Sequence, residues 1–427
     1  MSAMFSSLAI KNYRTYAAGG IVSNTGTWMG RVAQDWLVLT ELTNNSASAL
    51  GIVTGLQFLP MLLLAPVAGA VSDRFPKRKV MIVTQSFMAL TALAMGLLVL
   101  TDVAVLWHIY LLAFVQGCAA AVDGPARQAF VSEMVPPTQI TNAVGLNSAS
   151  FHSGRLMGPA LAGLLIAWFG TGPTLLINAA SFVAVIGALM LMDVDELTPA
   201  PVAKGKGRIR EGLAYVKHRP DIILIMALVF IHGTFGMNFQ LTNALMSTEA
   251  FGKGVEEYGI TGSVMAIGSL GGALLAARRE KPRLRYLLGA MGLFSLCTLF
   301  VGLAPNFLFY TLMLIPTGLS ALTVMVTANS MIQLSVAPEV RGRVMALYMA
   351  VFMGGTPVGS PVIGWIGETF GARWTILIAT VTCGIAVVVA TIYVMRTDDI
   401  RVRLQREPGN WLAVQRGSTE PLPEKVA

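Results

Sequence analysis

Twelve apolar runs, each long enough to cross a hydrocarbon layer of roughly 30 Å, alternate along the chain with short polar breaks. They cover residues 15–40, 48–72, 79–101, 104–131, 139–168, 173–192, 221–247, 257–277, 285–304, 307–334, 343–367 and 373–395. The break at 69–79, Gly69-Ala-Val-Ser-Asp73-Arg74-Phe-Pro76-Lys77-Arg78-Lys79, packs one acid and four bases between two of these runs. Two apolar runs joined by so short a basic knot predict two spanning helices with a tight turn, its bases held on the cytoplasmic side by the positive-inside rule. The expected fold is an all-α polytopic membrane protein of twelve transmembrane helices in two pseudo-symmetric six-helix halves.

The bases keep to alternate breaks. Of the 30 Lys and Arg, 25 lie in the amino-terminal segment, in 73–79, 193–220, 278–285 and 341–343, or from Arg396 on. The opposite loops hold only Lys253 and Arg373. Both termini are therefore expected in the cytoplasm. The division is 1–192 for the first half, 193–220 for a cytoplasmic linker, 221–395 for the second half and 396–427 for a cytoplasmic tail. Within the linker, Ile209 to Val216 has the spacing of a short amphipathic helix on the inner leaflet.

Composition agrees. The chain has 427 residues, 55% hydrophobic and only 12% charged, with a mean hydropathy of +0.67. Globular domains carry roughly 25% charged residues. The net charge of +8 follows from topology, so no nucleic-acid partner is expected. Cys118, Cys297 and Cys383 each sit inside an apolar run without paired spacing, which predicts neither a disulfide framework nor a metal site. The first run is long enough to span, so no cleavable signal peptide is expected. No Gly-rich phosphate loop ending in Lys-Ser/Thr is present, and no nucleophile–base pair is suggested, so the chain reads as neither an ATP-driven pump nor an enzyme. No cofactor is expected beyond a proton gradient.

The halves repeat. A shift of 201 residues places Pro137 on Pro338, Gly154 on Gly355, Gly158 on Gly359, Gly163 on Gly364 and Gly170 on Gly371. Two six-span halves related by an axis along the membrane normal put a binding site between them near the midplane.

Charge inside the membrane costs at least about 2.5–3.5 kcal/mol per group and so marks candidate function. In the first span Asn24, Trp28, Arg31 and Asp35 fall on one helical face, at i, i+4, i+7 and i+11. The fourth span carries Asp123 and Arg127 around a Gly124-Pro125 kink, and the fifth carries His152 and Arg155. The second half offers neutral groups, chiefly His232, Gln240 and Asn243. Each acid has an arginine one turn away. A carboxylate balanced between such a partner and burial can load a proton in one conformation and release it in another. A static ion pair is the plainer reading of either pair, most of all of Asp123 with Arg127. Arg155 could hold an acid's charge or meet an anionic substrate. The histidines read as cavity-lining hydrogen-bonders.

The 69–79 knot resembles the signature loop between the second and third helices of the major facilitator superfamily. The resemblance implies a cytoplasmic latch formed by Gly69, Asp73, Arg74 and Arg78, with Asp73 engaging the eleventh span near Arg341 to Val344 and the arginines reaching nearby acids. Gly154-Arg155-Leu-Met-Gly158-Pro159-Ala-Leu-Ala162-Gly163 resembles that superfamily's antiporter motif, with Ala162 in place of one Gly. The run Gly26 to Leu39, the segment Asp123-Gly-Pro125-Ala-Arg127-Gln and Pro338-Glu-Val-Arg341-Gly-Arg343 are similar to a drug:proton antiporter-like bacterial branch that includes enterobactin and macrolide exporters. The likeness covers residues 5–395. It departs at Ala113, where many drug–proton antiporters have an arginine three residues before the Gln116-Gly117 pair. The resemblance implies proton-coupled efflux of a small lipophilic molecule, drug-like or siderophore, by a monomer in the lipid bilayer. A proton-coupled nutrient symporter and a membrane receptor or accessory protein are the alternatives.

Overall fold

A computed structural model of the chain describes residues 3–198, 209–277, 282–397, 400–403 and 413–416. After a 3₁₀ segment, Ala3–Ala9, the first half comprises α1 (Lys11–Trp36, prolonged by a π-helical turn Leu37–Leu42), α2 (Ala47–Leu63), α3 (Ala65–Arg74), α4 (Lys77–Leu100), α5 (Leu106–Glu133), α6 (Ile140–Phe169) and α7 (Thr171–Met190). Helix α8 (Ile209–Lys217) follows. The second half runs through α9 (Pro220–Ile231), α10 (Phe239–Leu245), α11 (Val255–Ala277), α12 (Leu284–Gly302), α13 (Phe307–Ser335), α14 (Pro338–Phe370) and α15 (Trp374–Thr397). A π-helical turn, His232–Gly236, loosens the helix between α9 and α10. The all-α expectation has one exception among the described residues: Ile400–Arg403 pairs antiparallel with Ala413–Arg416, beyond the last span.

Among the described residues, nine helices are long and apolar enough to cross a membrane. The other three expected spans are instructive. The second is broken into α2 and α3 at Leu64, ahead of Pro66, because proline cannot donate to the preceding turn. Spans α1 and α6 carry the polar and charged side chains, and their neighbours cover those faces. Gly170 and Gly371, one repeat apart, have φ of +84° and +92° and turn α6 into α7 and α14 into α15 within a few residues. Helix α8 forms as the sequence predicts. Its Gly212 lies against Arg343 of α14, so this part of the linker docks on the second half.

The breaks segregate to two faces, one base-poor (43–46, 101–105, 251–254, 303–306, 371–373) and one base-rich. The halves meet toward the base-poor face along two seams related by the internal repeat. In one, Gly51 of α2 lies so close to α14 that a β-carbon there would overlap the Ser360 carbonyl oxygen. In the other, a β-carbon on Gly259 of α11 would overlap the Pro159 carbonyl oxygen of α6. Small residues at these crossings let two backbones touch, which is how helices associate where no hydrophobic gain drives them together. Glu368 of α14 adds a polar clasp, accepting from Ser46 Oγ and from the Ser48 backbone N–H, both at 3.1 Å. Ser46 is the residue that caps α2, so a carboxylate of one half sits on the N-terminus of a helix of the other. Toward the base-rich face, Gly145 of α6 and Gly342 of α14 have nothing within 4 Å of their β-positions.

The seam predicts an asymmetric response to added side chains. Gly259→Val should raise the maleimide labelling rate of a cysteine placed at the buried Val255 several-fold in a variant lacking the native cysteines. Gly145→Val should leave it unchanged. Equal rates in the two variants would show that the close approach does not hold this face shut.

Candidate functional site

The face of α1 predicted from spacing is built as expected, and each of its residues finds a partner on another helix. Asn24 donates to Ser150 Oγ of α6 at 3.0 Å. Gly154 and Gly158 of α6 seat against Asn24, Thr25, Trp28 and Met29. One turn further on, Pro159 and Gly163 turn to α11 and the opposite half. The glycine–proline motif therefore joins α1 to the inter-half seam. The second half repeats the arrangement, with Gly355 and Gly359 on Gly233 and Thr234 and with Gly364 on Ala47 and Gly51.

Asp35 is 4% exposed. It accepts from the Tyr258 hydroxyl of α11 at 3.2 Å, across the seam, and Trp36 stacks on the same phenol ring at 6.4 Å between centroids. The Gln240 carbonyl lies 3.4 Å from that hydroxyl, so the single proton has two acceptors. Contrary to the expectation from spacing, Asp35 and Arg31 are not among the ion pairs closer than 4.0 Å. The Arg31 guanidinium lies instead over the indole of Trp28 at 4.8 Å and over Phe58 at 5.4 Å. Arg155 faces the same indole at 5.5 Å, and Phe151 meets Trp28 edge-on at 5.7 Å. A cavity of about 50 Å³ opens beside them between the halves, lined by Trp28, Val32, Arg155 and Pro159 from one half and Phe239, Gln240, Asn243 and Tyr258 from the other. Asn243 Oδ1 accepts from the Tyr310 hydroxyl at 2.8 Å.

Asp123 has a different environment. It accepts from Thr84 Oγ1 and Gln85 Nε2, both at 2.8 Å, and from Arg127 Nε at 3.0 Å. Three donors on one buried carboxylate make a satisfied network inside the first half. It draws on α4 and α5 and does not reach the cavity.

The histidines differ from the sequence expectation. His232 is fully buried and packs edge-on against Phe294 at 4.6 Å. His152 stands edge-on to Phe151 at 5.8 Å. Neither lines the cavity, and neither do Asn24, Arg31 or Asp35. At the base-rich face, Arg78 is in no ion pair among the described residues; it donates to the Leu189 and Met190 carbonyls at 2.6 and 3.3 Å, closing the C-terminus of α7. Arg74 lies over Phe75 at 5.9 Å. Lys77 pairs with the buried Glu133 of α5 at 2.7 Å, and Gly69 has nothing within 4 Å of its β-position. The side chain of Asp73 lies outside the described residues. Arg341 donates to the Val336 carbonyl at 3.3 Å. Among the described residues no group of three His, Cys, Asp or Glu could hold a metal ion.

Sequence reasoning missed Tyr258, Phe239, Tyr310 and the Glu368 clasp. Tyr258 carries no charge and lies in an ordinary Gly-rich span, so only its partner across the seam reveals it.

Residues 2–413 match the family described as transmembrane secretion effectors, a family of the major facilitator type. The chain belongs to that family. It is 26% identical over 355 residues to the staphyloferrin A transporter of Staphylococcus aureus, covering 81% of this chain and 87% of that protein. It is 24% identical over 375 residues to macrolide efflux protein A of Streptococcus pyogenes, covering 85% and 91%. A bacterial homologue of the human lysosomal transporter Spinster, solved inward-facing and unoccupied, superposes with a TM-score of 0.70 at 15% identity, over 92% of this chain and 97% of that one. The fold is thus shared with transporters, and the chain is a multi-pass membrane transporter of the major facilitator type.

The two kinds of arginine predict opposite effects on stability. Removing one partner of a buried, hydrogen-bonded pair costs about 3–5 kcal/mol, so Arg127→Gln and Asp123→Asn should lower the unfolding midpoint in detergent markedly. Arg31→Gln and Arg155→Gln remove no ion pair and should unfold close to the native midpoint. Equal losses at all four positions would contradict the assignment.

Proposed function

We propose that the chain is a proton-coupled exporter of the bacterial plasma membrane that moves a small lipophilic molecule outward by rocking its two halves. The base-rich face is then cytoplasmic by the positive-inside rule, and the conformation with seams closed at the opposite face is open to the cytoplasm. The observation that carries the reading is Asp35, a buried acid whose hydrogen bond to Tyr258 spans the two halves at the closed face. Opening that face breaks the bond and brings water to the carboxylate, so proton occupancy and conformation are linked through one side chain. Asp123, already saturated by three donors inside one half, serves as a structural charge.

Efflux is favoured over uptake on two grounds. The motif Gly154, Gly158, Pro159, Gly163 ties the first span to the seam, and two of the relatives matched are named for macrolide efflux and multidrug efflux. In the reciprocal conformation, Asp73 takes the place of Glu368. It closes the base-rich face on the N-terminus of α14, as Glu368 closes the other face on α2. The transporter works as a monomer, with the proton gradient in place of any cofactor.

The test uses inside-out vesicles with an imposed pH gradient and a screen of macrolides, lipophilic cations and siderophores. A transported compound should accumulate with release of luminal protons. Asp35→Asn should lose dependence on the gradient, and Asp123→Asn should retain it in whatever fraction folds. Gradient-dependent movement in the reverse sense would replace export with uptake. Wild-type behaviour of Asp35→Asn would remove the coupling role.

A further inference from the structure

Among the described residues Arg31, Arg127 and Arg155 lie inside spanning helices and Arg373 sits just before α15; Arg127 and Arg373 have conventional partners. Arg127 pairs with Asp123, and Arg373 donates to the Gly302 and Ala304 carbonyls, each at 2.9 Å. Arg31 and Arg155 differ. Among the described residues neither is in an ion pair within 4.0 Å. The contacts they make are with aromatic faces, and they share one, the indole of Trp28. Asp35, the nearest candidate in sequence, turns to Tyr258 instead.

A guanidinium stays charged in a protein and carries five donors. Asp35 acts as a counter-charge to Arg31, but among the described residues no acid lies within 4.0 Å of Arg155. Two like charges on one indole raise the energy of the empty site and lower it for an anion that enters. The surroundings fit that arrival. Trp28 holds both guanidinium groups by cation–π contact, which fixes them without using their hydrogen bonds. From the opposite half, Asn243 accepts from Tyr310 through its carbonyl oxygen, leaving its amide N–H groups as donors at the cavity wall. The cavity of about 50 Å³ has room for a few water molecules. That volume matches one carboxylate group and is far below that of a drug-sized molecule.

We propose that Arg155, at the cavity wall on the Trp28 indole and backed by Arg31 on the same ring, forms a subsite for the carboxylate of an amphiphilic organic acid. Asn243 donates from the second half, and the apolar body of the molecule extends from the cavity toward the open, base-rich face. This deepens the exporter reading and rests on it for direction of movement; binding itself needs neither a gradient nor transport. The substrate would carry its negative charge to the midplane, where both halves touch it, so its occupancy would bear on the same seam as Asp35.

The test is equilibrium binding by calorimetry to the full-length protein in nanodiscs of phosphatidylcholine, without a pH gradient. The probes are 2-naphthylacetate and its neutral isostere 2-naphthylacetamide. The acid should bind at least about tenfold more tightly than the amide, the discrimination that a charge-assisted hydrogen-bonding site gives. That preference should vanish in Arg155→Gln, weaken in Arg31→Gln, persist in part in Arg155→Lys, and persist fully in His152→Gln, which lies off the cavity. Equal binding of acid and amide, no binding of the acid, or a preference that survives in Arg155→Gln would overturn the proposal. So would displacement of the acid by added phosphatidylglycerol at equal strength in native and glutamine variants, which would assign the signal to a lipid-facing surface. Loss of gradient-driven exchange with the acid preference intact would count against the exporter reading and leave the subsite standing.

Discussion

Close backbone contact across two glycine-bearing seams is the constraint on which the rest of the structure depends. In a bilayer, burying apolar side chains between helices gains little over leaving them in lipid, so association rests on shape and on satisfied polar groups. Gly51 against Ser360 and Gly259 against Pro159 supply the shape. Glu368 on Ser46 and Ser48, and Tyr258 on Asp35, supply the polar clasps. Every one of these contacts lies toward the base-poor side, where the halves are held together. The central cavity, the acid and the two arginines are placed by that geometry.

The distribution of polar satisfaction separates scaffold from machinery. Asp123, Arg127, Thr84 and Gln85 close on one another within the first half, and such a network rigidifies the helices that carry it. Asp35 has one donor from the other half, and Arg31 and Arg155 lie on the indole of Trp28 without an ion pair closer than 4.0 Å among the described residues. In the proposed rocking motion, groups left incompletely paired between the halves are those whose energies change. The Glu368 clasp has a formal counterpart in the expected Asp73 latch: in each, a carboxylate meets the N-terminus of a helix from the other half, at opposite faces of the membrane.

The spanning helices, the two halves and the repeat could be read from the sequence, because apolar length, the placement of bases and glycine spacing are local signals. The face Asn24–Trp28–Arg31–Asp35 was also legible, since a helix fixes which residues share a side. What pairs with that face was not. Sequence spacing put Arg31 beside Asp35, yet Asp35 turns to Tyr258, some 223 residues away, and Arg31 turns to Trp28. His232, polar and mid-span, looked like a cavity residue but is packed against Phe294. Arg78 looked like a partner for acids but finishes α7. In each case the deciding neighbour comes from another helix, and helix–helix contact across a seam leaves no periodic trace in the chain.

In the proposed mechanism the protonation of Asp35, hydrogen-bonded to Tyr258 across the seam, governs opening of the base-poor face. The most direct measurement is the distance between spin labels at Val103 and Leu303, exposed on that face in the two halves, by double electron–electron resonance across a pH series. The account predicts a short and a long distance whose populations change with pH in the native protein and do not change in Asp35→Asn. A single distance at every pH, or the same pH response in Asp35→Asn, would contradict it.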